Sequence, residues 1–504
     1  MKNETILKKF QMNKKCNRLL LFFGIAVAVC AIYIFVGRNY IPAWAEWNEK
    51  ELTVPCDEGD AGNAETVIKV KNKKLEVLNN GNVTFESEKG FKVQDVLLSD
   101  LDGNGDLEMI VLLWKKGLYG EHRPFWVESD EKCYSQHIFL YDLNNDGSVK
   151  HKWGASKIGV SAKRIKLMEQ KESVILVEDI DDKCTLWSWQ GWGLKNLENE
   201  IKIVAFGDNL IHKEIYEYAR EHENGNFDFL YEPFRSEIQS ADIAALNAET
   251  VLVDKEAMIG GYPSFGSPTK VGEAVKNAGF DVASCANNHA LDWGFQVIYT
   301  TVKFYKNAGI ACVGIQSSSD TEYRPYEVIS KNGIKIALFS YTYGTNAGDA
   351  AEKYPNMIHY LPREVSFEEV SPEEDDESKE EKKIIDDLQS ARDEADFVIV
   401  FAHWGEEYNK EITPYQKRMA KIFAEGGADV VIGSHPHVVQ KTELMDRPDG
   451  GKMLTYYSLG NFRAYQGQSE ETKHGAEAFF TIAHSYDGIA ICSYETKDIN
   501  AFWE

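Results

Sequence analysis

The chain has 504 residues, a formal net charge of −25 at pH 7, 43% hydrophobic residues and 12% aromatic residues. This length exceeds one ordinary hydrophobic core and indicates two or three domains, and the hydrophobic content excludes a wholly disordered chain. We expect no nucleic-acid partner, because phosphate backbones are bound through clustered Lys and Arg, whereas this chain is strongly acidic.

The first element is a predicted membrane anchor. A basic tail at 1–18 precedes an uncharged apolar run at 19–37, which is long enough to cross a bilayer as a helix. The positive-inside rule keeps the basic tail in the cytoplasm. A cleaved signal peptide is the alternative, with Ala43-Trp44-Ala45 as its cleavage site, but the apolar run is longer than a typical signal core. We therefore expect a single-pass cell-membrane protein whose bulk is extracytoplasmic.

A β-rich region is predicted at 38–200. Its strand-like runs are rich in β-branched and aromatic residues and lie at 96–98, 109–114, 137–141 and 173–177. About 150 residues cannot supply a full propeller of four-stranded blades. The region is therefore either a partial propeller or a small β domain.

A candidate calcium loop lies between the first two of these runs. Oxygen-bearing side chains alternate along it, and its glycines permit a tight turn, as a hard cation such as Ca²⁺ requires; they are Asp100, Asp102, Asn104, Asp106 and Glu108. The loop resembles the calcium loops of FG-GAP repeats, with Glu108 where those repeats usually carry Asp. A second copy begins at Asp142 but has Lys150 at the final position. The alternative is an Asp/Asn/Gly turn without metal.

The region 201–490 is predicted to be an α/β domain, followed by a C-terminal tail at 491–504. Runs that read as buried strands alternate with helical patterns. The strands are predicted at 201–206, 242–246, 280–284, 334–340, 397–402 and 430–432, and two of the helices at 269–278 and 381–395. The charged run 368–383 is expected to be a solvated surface insertion.

Polar residues that suit a metal follow these predicted strands. Ligands of open α/β sheets bind at the carboxyl ends of the strands, so side chains in these loops should meet in one crevice. Taken singly, an Asp or Asn at such a position is typical of a helix cap. A single His there is typical of a hydrogen-bonded structural residue. Together they form the donor mixture that Zn²⁺, Mn²⁺ or Fe prefers: Asp208, His212, Glu249, Asn288, His289, His403, His435 and His437.

The motifs GDNLIH, NAE, ANNHALDWG, HWGEEY, GSHPHVVQ and YSLGNF occur in this order between about 201 and 490. As a set they resemble the CapA family of bacterial capsule and poly-γ-glutamate synthesis proteins, which is similar in fold to the calcineurin-like metallophosphoesterases. The resemblance implies a sandwich of two β-sheets flanked by helices, with a dinuclear metal centre in its crevice. It does not cover the first 200 residues.

The resemblance also implies roles for single residues. Asp208, Asn288, His403, His435 and His437 would be metal ligands, and His289 would be the adjacent general acid. Glu249 stands in the loop where phosphoesterases place a bridging Asp. The usual Asp-x-His of the first loop is absent, and His212 follows Asp208 by four residues instead. The number of metals, whether two, one or none, therefore stays open.

The expected function is that of a membrane-anchored, metal-dependent hydrolase or transferase. One expected partner is an anionic polymer such as poly-γ-glutamate, or a precursor of that polymer. Other subunits of a capsule synthesis complex are further expected partners. The resemblance leaves open whether a phosphoester or an amide is cleaved. Glu406 and Glu407 either orient a water or His403, or are surface charges at a helix start. The alternatives are a non-catalytic polymer-binding or export subunit, and a phosphoesterase unrelated to capsule.

Overall fold

The structure is a computed structural model that describes residues 36–54, 65–119, 125–154, 158–168, 173–348, 353–363 and 376–503. The chain divides into two compact units, Met1–Glu198 and Asn199–Glu504. The predicted tail 1–18 and nearly all of the predicted anchor 19–37 lie outside the described residues. Within the described ranges, no helix combines the length and the apolar character needed to span a bilayer.

The first unit consists of stacked antiparallel sheets. In its described part, three consecutive four-stranded sheets are formed. Their strands are β1 (Lys50–Thr53), β2 (Thr66–Lys71), β3 (Lys74–Asn79) and β4 (Asn82–Glu86); β5 (Lys92–Ser99), β6 (Leu107–Lys116), β7 (Tyr134–Leu143) and β8 (Val149–Gly154); β9 (Ala162–Met168), β10 (Val174–Asp179), β11 (Cys184–Trp189) and β12 (Leu194–Leu197). The predicted strands of this region are confirmed.

Strand β6 shows why the three sheets stack. Its side chains alternate between two faces: Met109 and Val111 pack against the first sheet, with Ile68, whereas Ile110 and Leu112 pack in the core shared with the third sheet. A strand buried on both faces requires a layer on each side. Both predicted alternatives, a partial propeller and a small β domain, are compatible with this stack of three sheets.

The second unit contains two large sheets. The seven-stranded sheet has the order β18-β17-β14-β13-β26-β27, with β25 paired to β13; its strands are β13 (Glu200–Asn209), β14 (Ile243–Asn247), β17 (Val282–Ser284), β18 (Ala311–Val313), β25 (Asn461–Arg463), β26 (His474–Ser485) and β27 (Gly488–Asn500). The six-stranded sheet has the order β19-β20-β21-β22-β24-β23; its strands are β19 (Glu327–Lys331), β20 (Ile334–Thr342), β21 (Phe397–His403), β22 (Val430–Ser434), β23 (Thr442–Asp446) and β24 (Lys452–Tyr456). A small parallel pair is formed by β15 (Val251–Val253) and β16 (Gly266–Pro268).

The two large sheets pack face to face and carry helices on their outer faces. Ile203 of β13 lies in a core with Ile336 and Ile399 of the other sheet, whereas Phe206 of β13 faces the helices. The helices are α1 (Lys213–His222), α2 (Arg235–Ser240), α3 (Thr269–Ala278), α4 (Phe295–Ala308), α5 (Asp376–Arg392) and α6 (Pro414–Gly426). The first four cover the seven-stranded sheet and the last two cover the six-stranded sheet. The predicted sandwich of two sheets flanked by helices is what the structure has.

Two boundaries differ from the predictions. The segment 491–504 is not a tail, because β27 pairs with β26 up to Asn500. Most residues of β27 are exposed, so the strand is held by its backbone ladder and lacks the apolar pattern that marks buried strands. The charged run 368–383 is partly helical, since α5 begins at Asp376; the remainder, 368–375, lies outside the described residues.

Candidate metal centre

The crevice is built from the carboxyl ends of parallel strands in both sheets. Asp208 is near the end of β13, and Glu249 follows β14. His403 is the last residue of β21 in the opposite sheet. The two sheets meet through polar contacts: Nδ1 of His437 lies 2.9 Å from Oδ2 of Asp208. Parallel strands of two facing sheets therefore direct their terminal side chains to one place.

Asp208 is fully buried and heavily hydrogen bonded. Its Oδ1 accepts a hydrogen bond of 2.8 Å from Nδ2 of Asn247, and the backbone N–H of His435 lies 3.3 Å from both carboxylate oxygens. Burial opposes ionisation, but the hydrogen bonds and charge of His437, with help from Asn247, outweigh it and lower the pKa of Asp208. The carboxylate is thus held in its ionised form, which is the form that binds a cation.

Glu249 is also fully buried, and it lies between histidines of the other sheet. Its Oε1 atom is 3.6 Å from Nε2 of His403 and 3.8 Å from Nε2 of His437, and it has no hydrogen-bond partner among the described residues. Burial, followed by the nearby charge of Asp208, raises the pKa of Glu249 well above its usual range. Burial of this kind disfavours the ionised carboxylate, and a bound cation would favour it.

His403 and Asn288 meet across the two sheets. Nε2 of His403 lies 2.9 Å from Oδ1 of Asn288, and its Nδ1 lies 3.0 Å from Oγ of Ser434. Burial is the main cause that lowers the pKa of His403 well below its usual range. The imidazole is therefore neutral near pH 7, as a metal-binding histidine must be.

His435 and His437 adopt a backbone conformation that is uncommon for residues other than glycine. Their φ angles are +98° and +57°, in or near the left-handed region that costs free energy for a side chain with a Cβ. Burial, followed by the charge of His437, lowers the pKa of His435 to about 3. The strained turn around Pro436 brings both imidazoles to the same crevice.

The residues present fit a pair of divalent cations. Donor atoms of Asp208, Glu249 and His437 lie within 4.8 Å of one another, as do those of Glu249, His403 and His435. Glu249 belongs to both groups and would hold a cation in either of them. Buried polar atoms without a hydrogen-bond partner in the described parts of the chain line the same crevice: Oδ1 of Asn247, Oε1 of Glu249 and Nδ1 of His435. Such atoms are costly unless a ligand satisfies them.

His289 is paired with the carboxylate of Asp292, which was not among the predicted site residues. Nδ1 of His289 lies 2.7 Å from Oδ2 of Asp292, and both side chains are buried. The same oxygen of Asp292 accepts a hydrogen bond of 2.7 Å from the backbone of Phe265, whose ring packs edge-on against that of His289. Asp292 therefore fixes the orientation of the ring through Nδ1. Asp292 stands in the motif ANNHALDWG, and its spacing of three residues from His289 was the available signal.

His212 is the predicted ligand that the structure does not bring into these groups. Its Nδ1 lies 2.9 Å from the carbonyl oxygen of Leu210 and 3.2 Å from the backbone nitrogen of Tyr465. Burial lowers the pKa of His212 to about 4. Through Nδ1, the His212 ring therefore contacts the backbone of two separate loops.

In the first unit, the ammonium group of Lys152 lies among the carboxylates of the candidate calcium loop. Donor atoms of Asp100, Asp102 and Glu108 lie within 4.8 Å of one another. Nζ of Lys152 lies 2.6 Å from both Asp102 and Glu108 and 3.0 Å from Asp142 of the second loop. Side chains of the loop also bond its own backbone, as in the 2.7 Å bond that Asp106 N–H donates to Asn104 Oδ1. Calcium binding stays a prediction, and Ca²⁺ would have to displace the Lys152 ammonium.

Comparison with known proteins agrees with the motif analysis. The family model described as bacterial capsule synthesis protein PGA_cap matches residues 202–466, which is more than half of the chain. The capsule biosynthesis protein CapA of Bacillus anthracis is 29% identical over 281 residues, covering 54% of this chain and 62% of that protein. The PGA biosynthesis protein CapA of Bacillus subtilis (strain 168) is 31% identical over 195 residues, covering 39% of this chain and 45% of that protein. The matched segment thus spans less than two thirds of either relative.

Two solved structures were also matched. A calcineurin-like phosphoesterase, YfkN from Bacillus subtilis, aligns with 60% of this chain and 91% of its own, with 14% identity and a TM-score of 0.34. A hypothetical protein from Thermus thermophilus aligns with 59% of this chain and 99% of its own, with 14% identity and a TM-score of 0.35.

Proposed function

Because the chain belongs to the bacterial capsule synthesis protein family PGA_cap, we propose that it is a metal-dependent hydrolase or transferase of capsule biogenesis. Its substrate would be an anionic polymer such as poly-γ-glutamate, or a precursor of that polymer. The apolar run 19–37 would anchor it in the cell membrane, with both described units on the extracytoplasmic side.

The observation that carries the proposal is the position of Glu249. Its buried carboxylate lies between two groups of donors, one with Asp208 and His437 and the other with His403 and His435. Oxygen and imidazole donors of this kind suit Mn²⁺, Zn²⁺ or Fe. A structural role alone would not require two carboxylates and three histidines to be buried together without a Lys or Arg counterion, which the described residues do not provide here.

Divalent metals held by these residues would polarise the substrate and activate a water molecule. The chain's own contribution to proton transfer lies with His289. Asp292 holds Nδ1 of the ring, so that Nε2 can give a proton to the departing oxygen or nitrogen atom. Asn288 and Ser434 orient His403. The metal charge would also offset the repulsion between an acidic protein and an anionic polymer.

The test is metal content and turnover of the purified full-length protein. Wild type, Asp208→Ala, His435→Ala and the exposed-histidine control His474→Ala would be compared for bound Mn, Zn and Fe. Each would then be assayed for hydrolysis of bis(4-nitrophenyl) phosphate. Its effect on the chain length of added poly-γ-glutamate would also be measured. We expect metal and turnover in the wild type and in His474→Ala, and loss of both in the two crevice variants. Efficient hydrolysis of the small ester without action on the polymer would indicate a phosphoesterase unrelated to capsule.

A non-catalytic polymer-binding or export subunit is the second candidate. The observation that favours it is the separate β-rich unit, which exposes large aromatic side chains: Phe125 is 95% exposed, Trp126 71% and Trp192 83%. Contiguous exposed apolar patches mark binding surfaces, and the ring centroids of Phe125 and Trp126 lie 4.8 Å apart. A protein that binds poly-γ-glutamate but contains no metal and turns over neither substrate would support this candidate.

A further inference from the structure

We propose that Glu407 is a ligand of the metal centre that approaches it from the rim. The inference rests on the metal-dependent function proposed above and adds a carboxylate that neither the motifs nor the family resemblance assigns to the centre. Donor atoms of Glu407, His435 and His437 all lie within 4.8 Å of one another. Donors that share one cation at about 2.0–2.2 Å are at most about 4.4 Å apart, so an exposed side chain needs to move only slightly to join them.

The backbone around Glu407 is fixed to the loop that carries the two histidines. The N–H of Tyr408 donates a hydrogen bond of 2.7 Å to the carbonyl oxygen of Pro436, which lies between His435 and His437. The next residue, Asn409, accepts a hydrogen bond of 2.9 Å through its carbonyl oxygen from Nε2 of Gln440. Glu407 is therefore held beside the histidines by its chain and is not a freely moving surface residue.

Two positive φ angles shape this loop. Gly405 has φ +90° and Tyr408 has φ +63°. A Cβ at Gly405 would lie 2.9 Å from the side chain of Gln416, which is itself buried and bonded to Thr413. The chain thus turns sharply directly after His403 and Trp404, and this turn returns Glu407 toward the crevice. A strained, anchored turn that ends at an acidic side chain is typical of a functional loop.

The charges of the crevice leave room for a third carboxylate. The acids of the two buried donor groups are Asp208 and Glu249, the nearby Asp292 is paired with His289, and two carboxylates do not neutralise a pair of divalent cations. Among the described residues, no Lys or Arg forms an ion pair with Glu407. His212 belongs to none of the donor groups found among the described residues. Glu407 is the acidic side chain at the rim that the structure places within reach of the unsatisfied imidazole of His435.

Glu406 offers a matched control. It is the neighbouring residue, carries the same charge and is also exposed, but its carboxylate accepts a hydrogen bond of 3.0 Å from Nδ2 of Asn409 and, within the described parts of the chain, it belongs to none of the donor groups. Neutralising either residue changes the local field in a similar way. A difference between Glu407→Gln and Glu406→Gln therefore reports ligation and not general electrostatics.

The experiment measures Zn²⁺ affinity of the full-length protein by competition with a chromogenic chelator, and the visible absorption of the Co²⁺-loaded protein. We expect Glu407→Gln to weaken Zn²⁺ binding by at least about tenfold and to shift the Co²⁺ bands. Glu406→Gln should match the wild type in both. Equal melting temperatures of the metal-free proteins would show that the fold is intact.

The outcomes separate this inference from the function on which it rests. If Asp208→Asn loses the metal while Glu407→Gln keeps wild-type affinity and an unchanged Co²⁺ spectrum, Glu407 is not a ligand and the centre itself stands. If the wild type binds no transition metal, both proposals are overturned.

Discussion

Oε1 of Glu249 lies 3.6 Å from Nε2 of His403, although the two residues come from different sheets of the sandwich. Glu249 follows β14 of the seven-stranded sheet, and His403 ends β21 of the six-stranded sheet. Both side chains are almost fully inaccessible to solvent. A neutral imidazole facing a buried carboxylate is a poor pair by itself, and a shared cation would make it a favourable one.

Replacing Glu249 by Gln should stabilise the metal-free protein at pH 7 while weakening metal binding. The pKa of Glu249 is raised by burial and by Asp208, so its ionised form costs stability in the absence of a cation. The neutral amide removes that cost, on the order of 1–3 kcal/mol. Thermal unfolding with and without added Zn²⁺ checks this. A lower midpoint for the metal-free variant would contradict the account.

The metal-free protein should lose stability as the pH falls from about 6.5 toward 4. Burial lowers the pKa values of His403, of His435 to about 3 and of His359 to about 3. Because the unfolded chain binds these protons at higher pH than the folded one, acid favours unfolding. Each such histidine contributes about 1.4 kcal/mol per pH unit. Glu249 offsets part of this loss of stability over the same pH range. Its raised pKa means that the folded protein takes up this proton at a higher pH than the unfolded chain does.

The variant His359→Gln isolates the contribution of one histidine to the pH dependence of the free energy of unfolding. His359 is buried away from the donor groups, and its Nδ1 has no hydrogen-bond partner among the described residues. Urea unfolding between about pH 5 and pH 7 should show a shallower pH dependence in the variant than in the wild type. An identical slope would show that His359 does not titrate with a lowered pKa.

Replacing Asp292 by Asn should reduce turnover without removing metal. Asp292 fixes Nδ1 of His289, and an amide in its place permits the wrong ring orientation or tautomer. We expect a loss of about 10²-fold in kcat, in the range that general acid catalysis supplies, with an altered pH profile on the alkaline side. Metal content should equal that of the wild type. Loss of bound metal in Asp292→Asn would instead assign the residue to the support of the centre.

Replacing Lys152 by Met should strengthen Ca²⁺ binding at the loop of the first unit. The Lys152 ammonium bonds Asp102 and Glu108 directly, so it competes with any added cation. We expect a gain of roughly tenfold, about 1.4 kcal/mol, in calorimetric titrations. The control is Lys150→Met, whose side chain lies outside this ion-pair cluster. Equal Ca²⁺ affinity in wild type and Lys152→Met would show that the ammonium does not occupy the cation position.

The sequence predicted the crevice well because its residues follow strands with strong apolar patterns. Asp208 and His403 lie at the ends of strands that are buried on both faces. The continuous apolar runs of such strands can be recognised in the sequence alone. Strand β27 was missed because its exposed residues give no such pattern. The start of α5 at Asp376 was missed because the residues before 381 belong to the charged run that was interpreted as a surface insertion.

The pairings within the site were less predictable. That Asp292 contacts His289 depends on a turn within one loop, and that Lys152 enters the candidate calcium loop depends on pairing between β7 and β8. His212 was predicted as a ligand because it lies in the loop after the first strand, and its Nδ1 contacts backbone atoms of Leu210 and Tyr465. Side-chain direction in irregular segments is set by tertiary contacts that a linear pattern does not contain.

The most direct test of the metal centre is anomalous diffraction from crystals of the protein grown with Mn²⁺ or Zn²⁺. We expect anomalous peaks in the crevice, bounded on one side by Asp208, Glu249 and His437 and on the other by Glu249, His403 and His435. The metal centre would be contradicted if crystals grown at a saturating metal concentration showed no anomalous peak among these side chains. Peaks confined to other parts of the chain would also contradict it.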